Sequence, residues 1–406
     1  VPLPRTFRAL AHRDFRLFWC GQLVSLIGTW MQSVGQSWLV LELTNSAFLL
    51  GMLGTLQFSP VLLLSFVGGA ISDRIPKRRL LMATQTALML QAFALSALAW
   101  SGHVRYWHVA ALASLYGLAN SLDMPARQSF VADLVPREDL LNAVALNSAV
   151  FNGARVVGPA VAGLLVARFG SALAFAVNGL SFVAVIIALW MVRAEGRSRP
   201  RPSAGLASDL LEAVRYATGT PRIVLVLGLL LTVSLFVMNY NVLVPLLARD
   251  VLGEGAHGFG LMMAALGVGA LAGALVLASL GFSRPPLTMM FVPALVASAG
   301  TLGMGLVHRF AVAIAMLVVI GFCQILFMTS CNTTLQVMSP DALRGRVMGL
   351  YAFVFVGATP FGSFLIGSLA GTFGVRAACI AGGTAGLAGV LAFAAAWRRR
   401  RDTRPA

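Results

Sequence analysis

The chain has 406 residues, of which 58% are hydrophobic and only 11% charged, with a mean hydropathy of +0.85 and a formal net charge of +16. A soluble domain carries about 25% charged residues, so these values exclude a soluble globular fold and imply an integral membrane protein. The excess of base is no nucleic-acid footprint either, because the arginines fall at alternate ends of apolar runs and form no separate basic domain.

The apolar runs are continuous over about 20 residues and lack period-2 alternation, which predicts transmembrane helices and not a barrel. The N-terminal stretch 4–16 is basic and amphipathic. Phe7, Leu10, Phe15 and Leu17 are expected in the headgroup layer, with Arg5, Arg8, Arg13 and Arg16 facing anionic lipid. No cleavable signal peptide is expected, since the first apolar run is too long and has no cleavage site. Helices are predicted over 17–41, 47–72, 80–100, 107–133, 140–167 and 172–192. A charged stretch, 194–220, follows as a linker; Leu206, Leu210, Leu211 and Val214 stand at helical spacing in its second half. That half is either an interfacial helix or a plain solvated loop. Six more helices are predicted over 223–247, 258–280, 287–307, 311–338, 346–370 and 376–397, before a basic tail. The predicted organisation is an all-α membrane protein with a bundle over 1–193, a linker over 194–220 and a second bundle over 221–406.

Arg105, Arg168, Arg249, Arg309 and Arg376 fall one per outer loop, while most other bases fall in the alternate loops and the tails. Short basic loops stay inside. This predicts an inner (cytoplasmic) membrane protein with both termini cytoplasmic, in contact with membrane lipids.

The halves repeat one another. Gly117, Met124, Pro136, Gly153, Gly158, Gly163 and Gly170 correspond to Gly321, Met328, Pro340, Gly357, Gly362, Gly367 and Gly374; 321 − 117 and 374 − 170 both give 204. Gly69 and Gly273 share that offset, which sets Asp73 opposite Leu277 and Asp123 opposite Phe327.

Cys20, Cys323, Cys331 and Cys379 stand singly in apolar runs, so neither a disulfide framework nor a metal site is expected. No G-x-x-x-x-G-K-[ST] loop occurs, so ATP is not expected to drive the protein. No cofactor, nucleic-acid partner or enzymatic activity is predicted.

A few ionisable residues lie inside the predicted helices. Asp123 and Arg127 are i and i+4 and share a helix face, and Arg155 on the next helix is placed to reach them. Each charge would cost about 2.5–3.5 kcal/mol in lipid, so these groups should face inward and pair. Two readings stand: an ion pair locking helices 4 and 5, or a site that couples protons to substrate. Glu42, at the outer end of helix 1, is a second coupling candidate and also fits a solvated helix end. Polar, aromatic and methionine positions suit a cavity for bulky amphipathic molecules. They are Gln32 and Gln36 on helix 1, Asn239 and Asn241 on helix 7, Gln324, Met328 and Asn332 on helix 10, and Tyr351 and Phe355 on helix 11. Helix packing explains each of them equally well when taken alone.

Three stretches resemble the major facilitator superfamily. Between helices 2 and 3, Gly69, Asp73, Arg74, Lys77 and Arg78 match G-x-x-x-D-R-x-G-R-[KR], with Pro76 where the family has Gly. In helix 5, Gly153, Gly158, Pro159 and Gly163 resemble the antiporter motif G-x-x-x-G-P-x-x-G-G, with Gly153 one residue ahead of the motif's first position and Ala162 in the first of the final pair. The stretch 123–155 looks like the branch of macrolide and enterobactin exporters. The helix 4 arginine of the superfamily is absent, Ala113 and Ser114 occupying that region. The resemblance implies twelve helices in two pseudo-symmetric six-helix bundles. It also implies a substrate site between the halves, a cytoplasmic gate closed through Asp73, and export of small molecules by alternating access and proton antiport, by a monomer. A same-fold importer or lipid flippase is the alternative within transport; a membrane scaffold or receptor is the alternative outside it.

Overall fold

A computed structural model describes residues 5–196, 206–280 and 285–402. Every regular element among them is helical, as lipid demands of backbone that has no water to bond. The α-helices in chain order are α1 (Arg13–Thr44), α2 (Ala47–Arg74), α3 (Lys77–Trp100), α4 (Tyr106–Asp133), α5 (Leu140–Phe169), α6 (Ser171–Met191), α7 (Leu206–Gly219), α8 (Pro221–Phe236), α9 (Tyr240–Leu246), α10 (Ala256–Leu280), α11 (Thr288–Met304), α12 (Phe310–Met338), α13 (Asp341–Phe373) and α14 (Val375–Asp402). Among the described residues, nine helical stretches are long and apolar enough to cross a membrane, and Thr288–Met304 is a shorter apolar helix. Long helices α1 and α4 are not among those nine. Their interiors carry buried polar groups, Gln22, Gln32 and Gln36 in α1 and Asp123 in α4.

Two compact units emerge, and they cut two helices. One comprises Val1–Asn45, Leu56–Pro202 and Gly255–Ala264; the other comprises Ser46–Thr55, Ser203–Glu254 and Ala265–Ala406. The first turns of α10 thus belong with α1, the rest of α2 and α3–α6, where Gly260 meets Gly163 of α5. A Cβ on Gly163 would lie 2.9 Å from the Gly260 Cα. Phe259 stacks on Trp38 in the same place, centroids 6.1 Å apart. The first turns of α2 pack likewise on α13 within the second unit: Thr55 Oγ1 donates to the Pro360 carbonyl at 2.9 Å, and a Cβ on Gly51 would lie 2.7 Å from the Gly367 Cα. Glycine removes the bulk that would hold such helices apart.

Several expectations need correcting. The predicted helix 7 is not continuous: α8 stops at Phe236, and α9 runs into a π-helical turn, Leu247–Val251. The polar run Asn239–Asn241 supplies the break, and Asn239 Nδ2 donates to the Leu235 carbonyl at 2.8 Å, a group the interrupted ladder leaves open. The constant offset fails at helix 2. Gly117 packs against the Gln57 carbonyl, and Gly321 against the Leu266 carbonyl. These contacts match α2 to α10 with an offset of 209 (266 − 57), which agrees with their starts at Ala47 and Ala256. Gly69 therefore corresponds to Ala278, not Gly273, and the pairing of Asp73 with Leu277 fails with it. The basic tail extends α14 to Asp402.

The N-terminal segment is not a free interfacial strip. Its 3-10 helix, Arg5–Ala11, docks on the start of α5 and the turn before it: Ala9 is fully buried and its N–H bonds Asn142 Oδ1 at 2.9 Å, while Arg8 and His12 both reach Asp139. Phe15 lies in the unit's core beside Phe18 and Phe130, not in a headgroup layer. The second half of the linker is a helix, α7. Tyr216 donates to the Met338 carbonyl, and Glu212 pairs with Arg346 on α13.

Candidate functional site

A buried charge with four hydrogen bonds lies between α3 and α4. Asp123 is 2% exposed. Its Oδ1 accepts from Thr84 Oγ1 at 2.8 Å and Gln85 Nε2 at 2.7 Å; its Oδ2 accepts from Arg127 Nε at 2.9 Å and Nη2 at 2.7 Å. Helical spacing presents both Arg127 nitrogens to one carboxylate oxygen, a two-armed, charge-assisted contact. All four bonds come from α3 and α4. Two atoms of the cluster are buried without a partner, Arg127 Nη1 and Gln85 Oε1. Such atoms carry a desolvation cost, so the cluster holds capacity for at least two further hydrogen bonds.

Arg155 is not part of this cluster. Its guanidinium lies over the Trp30 ring of α1, 5.8 Å from the centroid, a cation–π contact. The pairing expected from sequence fails because spacing on α5 does not specify which neighbouring helix a side chain faces. Sequence reasoning missed Thr84 and Gln85. Their signal was an adjacent polar pair in an otherwise apolar span.

At the basic end of the same unit, Lys77 is buried, and its Nζ reaches Asp133 Oδ2 at 2.7 Å. Arg78 caps the end of α6, Nε donating to the Leu189 carbonyl at 2.7 Å and Nη2 to that of Trp190 at 2.8 Å. Arg74 is exposed. The surroundings of Gly69 and the side chain of Asp73 lie outside the described residues. The basic turn thus ties α3 to α4 and α6.

The glycines of α5 serve different neighbours. Gly158 backs onto α1, where a Cβ would lie 2.8 Å from the Ile27 carbonyl; Gly163 meets α10, buried Pro159 lies between them, and Gly153 has open space around it.

The polar stripe of α1 turns inward. Gln32 Nε2 donates to Gln91 Oε1 at 3.0 Å, and Asn178 Nδ2 donates to Gln32 Oε1 at 2.7 Å, joining α1, α3 and α6. Gln32 is 2% exposed and so is no cavity surface here. Gln36 is buried with Nε2 unpartnered. In the second unit, Asn239 and Gln324 are buried, Met328, Asn332, Tyr351 and Phe355 half-buried, and Asn241 exposed. Tyr351 stacks on Phe355 at 6.2 Å. Glu42 is exposed and accepts from Trp38 Nε1 at 2.7 Å.

The family model described as "Transmembrane secretion effector" matches residues 5–403. The staphyloferrin A transporter of Staphylococcus aureus is 25% identical over 89% of this chain and 90% of its own. The multidrug efflux pump Tap of Mycolicibacterium fortuitum is 28% identical over 87% and 88%. The enterobactin exporter EntS of Shigella boydii is 26% identical over 88% and 85%. Among solved structures, the nucleoside transporter NupG superposes with a TM-score of 0.76 over 94% of this chain and 99% of its own, at 10% identity. A bacterial homologue of the human lysosomal transporter Spinster gives 0.72 over 95% of both chains, at 14% identity. The last two similarities concern the fold alone.

Proposed function

The chain belongs to the transmembrane secretion effector family of the major facilitator superfamily, and on that premise we propose that it exports small amphipathic molecules of the drug or siderophore class. It is a transporter and not an enzyme. Multidrug and siderophore exporters among its relatives support the substrate class. Transport proceeds by alternating access of a monomer in the cytoplasmic membrane, with both termini inside and proton entry as the driving force. Gly69, Asp73, Arg74, Lys77 and Arg78 line the cytoplasmic gate, and the α5 glycines give the sliding surface.

The observation that carries proton coupling is Asp123. Among the described residues it is the one acid buried within a membrane helix away from its ends. The unpartnered Arg127 Nη1 and Gln85 Oε1 beside it give arriving water or substrate two groups to bond. Loss of the α3 donors as these helices shift would free Oδ1 for a proton. A second reading, a structural lock, is favoured by the origin of all four donors in α3 and α4. Glu42, solvated at a helix end, is the lesser coupling candidate.

The test is Asp123→Asn in proteoliposomes. Loss of substrate accumulation driven by an imposed pH gradient, with substrate binding retained, is the outcome expected of a coupling site. Accumulation at the unaltered rate would leave Asp123 as a lock and move coupling to Glu42 or to another ion.

A further inference from the structure

A cavity of about 410 Å³ opens at the end of the first unit opposite Lys77 and Arg78. Its size lies in the range of ligand pockets, about 300–1,000 Å³. Glu42 at the end of α1, Trp100 at the end of α3, Phe169 at the end of α5, and Ser171, Ala172 and Leu173 at the start of α6 all line it.

Its chemistry is two-sided. On one side is the Glu42 carboxylate, oriented by Trp38 Nε1 on Oε1, while Oε2 has no protein partner among the described residues. On the other side is the first turn of α6, a 21-residue helix with no side-chain cap. Backbone N–H groups there lack intrahelical acceptors and carry partial positive charge. Ser171 is 5% exposed, and its Oγ is buried without a partner. Ser96 Oγ holds the Ala172 carbonyl at 2.8 Å, which fixes this turn against α3. Two aromatic rings also line the cavity, Trp100 70% and Phe169 62% exposed. Trp and similar rings gather where a membrane protein meets the headgroups.

An anion alone would meet the Glu42 carboxylate, and a cation alone would meet the α6 amides. A zwitterion with a phosphate and an ammonium satisfies both. We propose that this cavity binds the zwitterionic headgroup of a phospholipid, its phosphodiester on Ser171 Oγ and the α6 amides, its ammonium on Glu42 beside Trp100. The site is separate from the coupling cluster at Asp123, and from the proposed function it takes only the orientation that puts this end in the outer leaflet. Lipid binding is read without transport, so it stands or falls independently of export.

The experiment is native mass spectrometry of the purified full-length protein with phosphatidylethanolamine and phosphatidylglycerol supplied in equal amount. The wild type should retain the ethanolamine lipid in preference. Glu42→Gln should lower its retention about tenfold, as expected for one charge-assisted contact, and abolish the preference. Ser171→Ala should lower retention of both lipids and keep the preference. Because the lipid ratio is read within each variant, a general loss of folding does not imitate the Glu42 result. An excess of glycerophosphoethanolamine decides the source: displacement of the lipid means the free headgroup is recognised, and no displacement means the acyl-anchored lipid is the occupant. Equal retention of the two lipids by the wild type, or an unchanged preference in Glu42→Gln, overturns the proposal.

Discussion

Arg127→Gln isolates the buried Asp123–Arg127 ion pair of the first unit. The substitution removes the donors at 2.9 and 2.7 Å and leaves Asp123, 2% exposed, with only Thr84 and Gln85. An uncompensated buried charge costs about 3–5 kcal/mol when its partner is deleted. Asp123→Asn makes the complementary error, since the Arg127 side chain is 15% exposed and keeps its charge. Asn and Gln together are neutral and still polar, so the double variant should lose less than the two single losses added. A coupling energy of about 2–3 kcal/mol is expected, at the upper end for residues in contact. Reversible unfolding of the full chain in mixed micelles, followed by helical circular dichroism, gives the four stabilities. Additive losses would refute the reasoning, because they would mean the two charges do not stabilise one another in the folded protein. A single loss below about 1 kcal/mol for Arg127→Gln would refute it too, by placing the carboxylate in water.

Three further outcomes are expected. Gly163→Leu forces a side chain into the Gly260 backbone, so thermal unfolding should occur at lower temperature and accumulation of exported substrate analogues should rise in cells; normal values of both would remove the close packing of α5 on α10. Gln32→Leu deletes the centre of the Gln91–Gln32–Asn178 chain and strands two buried amides; a loss of about 1–3 kcal/mol is expected, measured in the same unfolding assay, and stabilisation would show that the chain contributes nothing. Lys77→Ala leaves the Asp133 carboxylate, 22% exposed, without its ammonium; amide hydrogen exchange at the basic ends of α3 and α4 should accelerate, and unchanged exchange would make that ion pair incidental.

Much of the architecture was legible because membrane helices report themselves locally. A span of about 20 apolar residues has one way to satisfy its backbone. The long helices fall close to their predicted bounds, with Pro125 accommodated inside α4 and the linker's Leu206, Leu210 and Leu211 in α7. The partnership of Asp123 and Arg127 was equally legible, since i and i+4 on one helix is geometry the chain carries with it.

Relations between helices were not legible. Arg155 stands over Trp30 and not beside Asp123, because a side chain's angle around its helix says nothing about which helix lies opposite. Gln32 looks like a cavity residue when read along α1, yet Gln91 and Asn178, 59 and 146 positions away, close over it. The repeat offset of 204 is correct for α4 and α5 and changes to 209 for α2, as the matching contacts of Gly117 and Gly321 show. The sequence alone thus determined a membrane-spanning helical repeat and its local ion pair, because backbone satisfaction and helical period act within a segment. The tertiary structure alone decided the donors on Asp123, the partition of α2 and α10 between the two units and the cavity at Glu42, because those depend on packing between segments far apart in the chain.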